Sequence, residues 1–69
     1  MGVWTVVYIA PSKAKADRIK EILTREGFLV NLRVVSQAGG PSAPVEVLVP
    51  QGEAREAHEI LAEHLGRSF

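Results

Sequence analysis

The run VWTVVYIA, residues 3–10, constrains the fold more than any other part of the chain. β-Branched and aromatic side chains fit the pleated surface of a sheet, so the run predicts a strand. Alternation along it places Trp4, Val6 and Tyr8 on one face and the residues between them, with Ile9, on the other. Both faces are apolar, which indicates a strand that is at least partly covered on both sides.

Two helices are predicted from apolar residues that recur at helical spacing. The first, KAKADRIKEILTREG, follows Ser12, whose hydroxyl can cap its first turn, and ends at Gly27, which tolerates the left-handed conformation. The second, GEAREAHEILAEHLG, is expected to end at Gly66. The apolar stripes are Ala16, Ile19, Ile22 and Leu23 in the first helix, and Ala54, Ala57, Leu61 and Leu65, flanked by Ile60, in the second.

Two more strands are predicted between the helices. FLVNLRVVS alternates, with Leu32 and Val34 on one face and Asn31 and Arg33 on the other. VEVLVP directs its three valines inward and Glu46 outward. The turn formers QAGGPSAP connect the two strands.

The resulting order is β-α-β-β-α, and right-handed crossovers place both helices on one face of the sheet. Strands two and three form an antiparallel hairpin, whereas strands one and three are expected to run parallel, which makes the three-stranded sheet mixed. The sequence thus predicts a single domain over residues 1–69 of the α+β class. It is a ferredoxin-like sandwich whose fourth strand is missing or reduced to the last residues, RSF.

Composition and charge argue against several classes of function. Lys and Arg number eight, as do Asp and Glu, whereas a dedicated nucleic-acid binder usually carries a basic excess. There is no cysteine for a disulfide framework or a thiolate site. The apolar run near the start is too short for a membrane helix and lacks the basic region of a signal peptide. We therefore expect a cytoplasmic protein that binds neither nucleic acid nor membrane.

The segment HEILAEH, which begins at His58 and ends at His64, approaches the zinc-protease pattern His-Glu-x-x-His. That motif needs histidines four residues apart on one helix face, but here they are six apart and diverge by about 120°. Ala62 occupies the position of the second ligand. We therefore expect no metal site, with His58 partly buried beside the apolar stripe and the glutamates on a solvated face.

The turn PSKAKA is a candidate anion site. Ser12, Lys13 and Lys15 at a helix N-terminus could hold the phosphate or carboxylate of a small metabolite. The alternative is that Ser12 only caps the helix and that both lysines are solvated. No glycine-rich loop accompanies them, which excludes a P-loop, and no cofactor is expected.

Two surfaces are candidates for contact with other proteins. The first is the loop QAGGPSAP between strands two and three, because loops on a rigid scaffold often bind partners. The residues expected to contact a partner are Gln37, Gly39, Gly40 and Ser42. The alternative is a mobile hairpin loop without a partner. The second candidate is the sheet face that no helix covers, with the residues Trp4, Val6, Tyr8, Leu29, Val35 and Leu48.

Self-association is expected at the first strand, because VWTVVYI has no charge or proline to protect its outer edge. We predict a homodimer in which Trp4, Val6 and Tyr8 lose exposed surface. The alternative is that these are scattered exposed apolar residues, which are normal in a small protein.

The segments WTVVYIAPSKAKADRIKEILTREGFLV and PVEVLVPQGEAREAHEIL resemble a family of small bacterial signal-transducing proteins, related in fold to the PII nitrogen regulators. The resemblance extends over about residues 3 to 65. It implies a ferredoxin-like regulatory module that binds an unidentified protein partner or itself. In PII proteins the loop between strands two and three contacts the partner, which corresponds by position to residues 37–44 here.

Some relatives in that family carry a glutamate decarboxylase label. Such an enzyme needs a cofactor-binding lysine inside a large closed active site, which 69 residues cannot enclose. We therefore expect no enzymatic activity. The alternative function is a small-molecule sensor that binds an anionic metabolite near Ser12.

Overall fold

A computed structural model describes residues 3–35 and 43–68, with the backbone alone for 65–68. In chain order the elements are β1 (Trp4–Ala10), α1 (Lys13–Arg25), β2 (Asn31–Val34), β3 (Val45–Pro50), a single 3-10 turn (Gln51–Glu53) and α2 (Ala54–Ser68). The predicted α+β class, with three strands and two helices, is confirmed. The partner loop residues Gln37, Gly39, Gly40 and Ser42 lie outside the described residues.

The sheet has the strand order β1-β3-β2, and β3 runs antiparallel to both of its neighbours. The prediction of a mixed sheet with β1 parallel to β3 was therefore wrong. The chain leaves β1, crosses over through α1 and enters β2 in the direction of β1, so the parallel strands are β1 and β2. The hairpin then reverses the chain into β3, which lies between them and opposes each.

Helix α1 ends as the sequence predicts, at Gly27. This residue has a φ of 93°, the left-handed region that glycine adopts without a steric penalty. The Gly27 N–H donates to the Thr24 carbonyl at 3.0 Å, and the Phe28 N–H donates to the Leu23 carbonyl at 3.1 Å. This pair of bonds is the Schellman motif, which satisfies the last carbonyls of the helix and turns the chain towards β2.

The hydrophobic core lies between the helices and one face of the sheet. Its buried residues are Val7, Ala10, Ala16, Ile19, Leu23, Val45, Val47, Val49, Ala57 and Leu61. Burial of each larger side chain in this set contributes about 1.5–3 kcal/mol. Because β3 directs its valines to residues of both helices, α1 and α2 cover the same face, and no helix among the described residues covers the opposite face of the sheet.

Helix α2 extends beyond its predicted end at Gly66 and continues to Ser68. A glycine inside a helix costs about 1 kcal/mol relative to alanine, but it ends the helix only where the chain takes up the left-handed conformation. Arg67 and Ser68 consequently belong to the helix and form no fourth strand.

A β-bulge in β1 changes which residues face the core. Val6 lies opposite Leu48 and Tyr8 lies opposite Val47, so Val7 is an extra residue between two consecutive partners. Val7 belongs to the core and Tyr8 packs against it. The predicted alternation was therefore wrong from Tyr8 onwards: Tyr8 lies on the helix-covered face, and Ile9 lies on the open face with 58% of its surface exposed.

Candidate functional site

The open face of the sheet carries an apolar patch on its β1 side. Residues directly opposite each other on neighbouring antiparallel strands share a face, which places Trp4 beside Pro50 and Val6 beside Leu48. Trp4 is 44% exposed, whereas Leu48, on the central strand, is buried by its neighbours. We call Trp4, Val6, Ile9, Leu48 and Pro50 the apolar patch.

The β2 side of the same face is polar. Arg33 lies opposite Glu46, and its Nε donates to Glu46 Oε1 at 2.7 Å. Asn31 lies opposite Leu48. Leu29 and Val35, which were predicted to join the face, flank this polar strip beyond the two ends of β2. Both are exposed, and neither lies on β1 or β3, the two strands that carry the apolar patch.

The residues of the predicted association face therefore change. Tyr8 leaves it, because the bulge turns this side chain towards the helices, and Ile9 takes its place. Alternation alone could not have found Ile9, since a bulge shifts the pattern by one residue without a distinctive residue type to mark it. Pro50 was recognisable from its position at the end of β3.

Hydrogen bonding along β1 determines which backbone groups point to its outer edge. The Gln51 N–H donates to the Val3 carbonyl at 2.7 Å. Residue pairs in an antiparallel ladder alternate between hydrogen-bonded and non-hydrogen-bonded. The next bonded pair along the ladder is therefore Thr5 with Val49, which lie opposite each other.

Before the bulge, two residues of β1 consequently direct their backbone N–H and C=O groups to the outer edge. Trp4 lies opposite Pro50, which has no N–H to donate, and Val6 occupies the next non-bonded position. Within the described residues β1 has one strand neighbour, β3, so no strand receives these groups. The bulge then breaks the alternation. We call residues 3–6 the free edge.

The opposite edge of the sheet, formed by β2, is protected by a side chain. The Val35 N–H donates to the Pro44 carbonyl at 3.0 Å, so alternation directs the N–H groups of Leu32 and Val34 outwards. The Asn31 Oδ1 accepts the outward N–H of Leu32 at 3.1 Å. This strand is also only four residues long, and a short edge strand presents few backbone groups with which another chain can pair.

The candidate anion site at the start of α1 is organised as a helix cap. Ser12 is extended, and its Oγ accepts the Lys15 N–H at 3.3 Å, as the sequence predicts for a capping residue. The Lys13 Nζ lies 3.3 Å from a carboxylate oxygen of Asp17, one turn along the helix. The Ser12 hydroxyl and Lys13 thus have partners within the helix, which favours the capping interpretation.

The histidine segment has the geometry of a solvated helix face. His58 and His64 are both exposed, so the expectation that His58 is partly buried was wrong. The described residues include no group of three or more side chains that could hold a metal ion, and they enclose no pocket.

Glu53 places a buried Oε1 without a hydrogen-bond partner in the turn before α2, where free helix N–H groups favour negative charge.

No helix in the described part of the chain combines the length and the apolar character needed to cross a bilayer. No family model matches this chain, and no curated protein and no solved structure shows a significant similarity to it.

Proposed function

We propose that this chain is a non-enzymatic, cytoplasmic interaction module that acts by protein–protein contact through its apolar patch. The observation that carries the proposal is the exposure of Trp4 and Ile9, at 44% and 58%, on the sheet face opposite the two described helices. Contiguous apolar surface of this kind is typical of protein contact sites, where aromatic side chains are enriched.

The size of the face favours weak, reversible contacts. Three strands about 4.8 Å apart and a β1 of seven residues at about 3.4 Å each give a face of about 14 by 24 Å. That area is well below the roughly 800 Å² that each partner contributes to a standard stable interface. Some transient signalling encounters also use interfaces smaller than the standard size, which agrees with a regulatory role.

The fold we propose for the module is a ferredoxin-like sandwich without its fourth strand. The strand order β1-β3-β2 and the position of both helices on one face support this assignment. The resemblance of the sequence to small bacterial signal-transducing proteins supports the same class of function. A shared fold is compatible with many functions, so the apolar patch remains the stronger argument.

A pair of matched variants tests the proposal. Ile9→Glu places a charge in the apolar patch, whereas Leu29→Glu makes the same change at an equally exposed residue outside it. The immobilised protein, incubated with native cell extract, should retain a partner that Leu29→Glu also retains and that Ile9→Glu loses. Loss of the partner from both variants, or from neither, would contradict a patch-dependent contact.

Melting curves measured with a panel of anionic metabolites test the alternative function, a small-molecule sensor with its site near Ser12. A specific ligand stabilises the folded state by mass action. A reproducible rise in Tm with one metabolite, abolished by Ser12→Gly, would favour a small-molecule sensor over the interaction module.

A further inference from the structure

We infer that the free edge pairs with the same edge of a second copy, antiparallel and about a two-fold axis at Thr5, to form one continuous six-stranded sheet. The inference deepens the proposed function, because it names the first partner of the module and enlarges the surface offered to others. It is carried by the backbone geometry of β1 and does not require the apolar patch to bind anything else.

The two outward-facing residues of the free edge complement each other across such an axis. In each copy Trp4 and Val6 present a backbone donor and acceptor to the outside, and Thr5 lies midway between them. With the axis at Thr5, Trp4 lies opposite the partner's Val6 and exchanges two hydrogen bonds with it. The two-fold axis generates a second, identical pair between Val6 and the partner's Trp4, so four backbone hydrogen bonds form in total.

The bulge selects this register over its neighbour. An axis at Val6 would set Trp4 opposite the partner's Tyr8, but the bulge places Tyr8 in a bonded pair with Val47 of its own copy. The backbone groups of Tyr8 therefore point inwards and cannot meet a second chain. The axis at Thr5 uses only residues that precede the bulge.

The side chains are compatible with this pairing. On the open face each Trp4 lies next to the partner's Val6, and on the helix side Thr5 lies next to Thr5 of the second copy. Aromatic with β-branched pairs and threonine pairs both stabilise neighbouring antiparallel strands. Residues 3–6 carry no charge, so no ion has to be desolvated when the edges meet.

Edge pairing also joins the two apolar patches. Each patch borders the free edge, while Arg33, on the outer strand β2, lies on the far side of its own sheet. Six strands about 4.8 Å apart double the width of the open face, with the apolar residues of both copies at its centre. The dimer thus presents a larger contact surface than either copy alone and leaves it accessible.

The β2 edge, where one of the two outward N–H groups already has an acceptor, favours an assembly of only two copies. In the six-stranded sheet both outer strands are β2, where Asn31 already accepts the outward Leu32 N–H. Two-fold pairing of identical edges closes on itself, whereas two different exposed edges would allow open-ended growth. The structure therefore points to a closed homodimer.

A cross-linking experiment tests the edge and its register. The chain has no cysteine, so a single thiol can be introduced without interference. Across the axis the Cα atoms of a non-hydrogen-bonded pair lie about 4.5 Å apart, within the range that a disulfide spans. Thr5→Cys should form a covalent dimer rapidly under mild oxidation. Val34→Cys, at the other edge, should form no covalent dimer.

Sedimentation equilibrium of the wild type provides an independent readout that needs no substitution. We expect a dimer with a Kd below about 10 μM, which corresponds to about 7 kcal/mol of association free energy. A monomer at several hundred micromolar would overturn the inference. A dimer in which Thr5→Cys cross-links no faster than Val34→Cys would overturn it as well, since the copies would then meet elsewhere.

Failure of the edge pairing and failure of the proposed function give different results. A monomer that still retains a patch-dependent partner would contradict the edge pairing and leave the interaction module standing. An edge-linked dimer whose Ile9→Glu variant loses no partner would support the pairing and contradict the proposed role of the apolar patch.

Discussion

The two edges of the sheet differ in how they protect their outward-facing backbone groups. On β2, a strand of four residues, the Asn31 side chain accepts the outward N–H of Leu32 at 3.1 Å. On β1, a strand of seven residues, Trp4 and Val6 direct their backbone N–H and C=O groups outwards, where no other described strand supplies a donor or an acceptor. The β1 edge has one protective feature, the bulge at Val7, and this acts only on the residues that follow it.

The difference shows that edge protection is local. A bulge twists the strand and removes regular pairing positions where it occurs, and an asparagine side chain satisfies a single donor. Neither device affects residues two or three positions away. Residues 3–6 remain a short stretch of regular, uncharged edge, and this length is enough for one symmetric pairing but not for an extended one.

Proline substitutions at adjacent residues of β1 test the assignment of inward and outward groups, and we expect the largest effect here. Thr5→Pro should lower the free energy of unfolding by about 2–3 kcal/mol, because it removes the ladder bond to Val49 and leaves a carbonyl unpaired. Val6→Pro removes an outward N–H and should cost less than about 1 kcal/mol, since proline is tolerated on edge strands. Urea denaturation at low protein concentration measures both, and equal losses would refute the assignment.

Deletion of Val7 tests the role of the bulge. The variant loses a side chain that is buried in the core, which should cost about 2 kcal/mol. It also restores regular alternation to β1, so more backbone groups become available to a second copy. We expect a less stable domain that associates more tightly, as measured by urea denaturation and by sedimentation. A less stable domain with unchanged association would show that the bulge does not limit pairing.

Asn31→Ala tests the protection of β2. Loss of the bond to Leu32 should lower the free energy of unfolding by about 0.5–1 kcal/mol. The larger consequence concerns assembly, because a second unprotected edge allows dimers to join into longer species that light scattering detects. Asn31→Asp keeps an acceptor at the same position and should remain a dimer. Longer species with both variants would indicate that the acceptor is not the protective element.

Arg33→Ala should have the smallest effect. It removes the ion pair with Glu46 on the open face, where the Arg33 side chain is 64% exposed. Exposed cross-strand pairs of this kind contribute about 0.2–1 kcal/mol, and the loss should shrink in high salt. Thermal unfolding at low and high ionic strength measures the change. Dimerisation should be unaffected, because Arg33 lies on β2, the strand farthest from the free edge.

Local chemistry made the helices and their caps predictable from the sequence. Ser12 caps α1 and Gly27 ends it because each residue acts through its own side chain or backbone freedom. The buried stripe of α1 likewise follows from helical spacing. Gly66 was misjudged because the chain beyond it continues as a helix, which the glycine itself does not determine.

Features that depend on two segments at once were not predictable in this way. The antiparallel relation of β1 and β3 depends on how the crossover and the hairpin combine, and the bulge depends on the register between the two strands. Ile9 entered the apolar patch, and Tyr8 left it, as a consequence of that register. The Asn31 side chain could be placed on the correct face from the sequence, but its bond to Leu32 required the structure.

Amide hydrogen exchange of β1, followed by NMR at two protein concentrations, tests the central claim most directly. The account predicts that the Thr5 amide is protected at every concentration, because it bonds within the chain. It predicts that the Val6 amide exchanges rapidly in dilute solution and becomes protected well above the dimer Kd, where a second copy accepts its bond. A Val6 amide that exchanges rapidly at all concentrations would contradict edge pairing, and a Val6 amide that is protected even in dilute solution would contradict its outward direction.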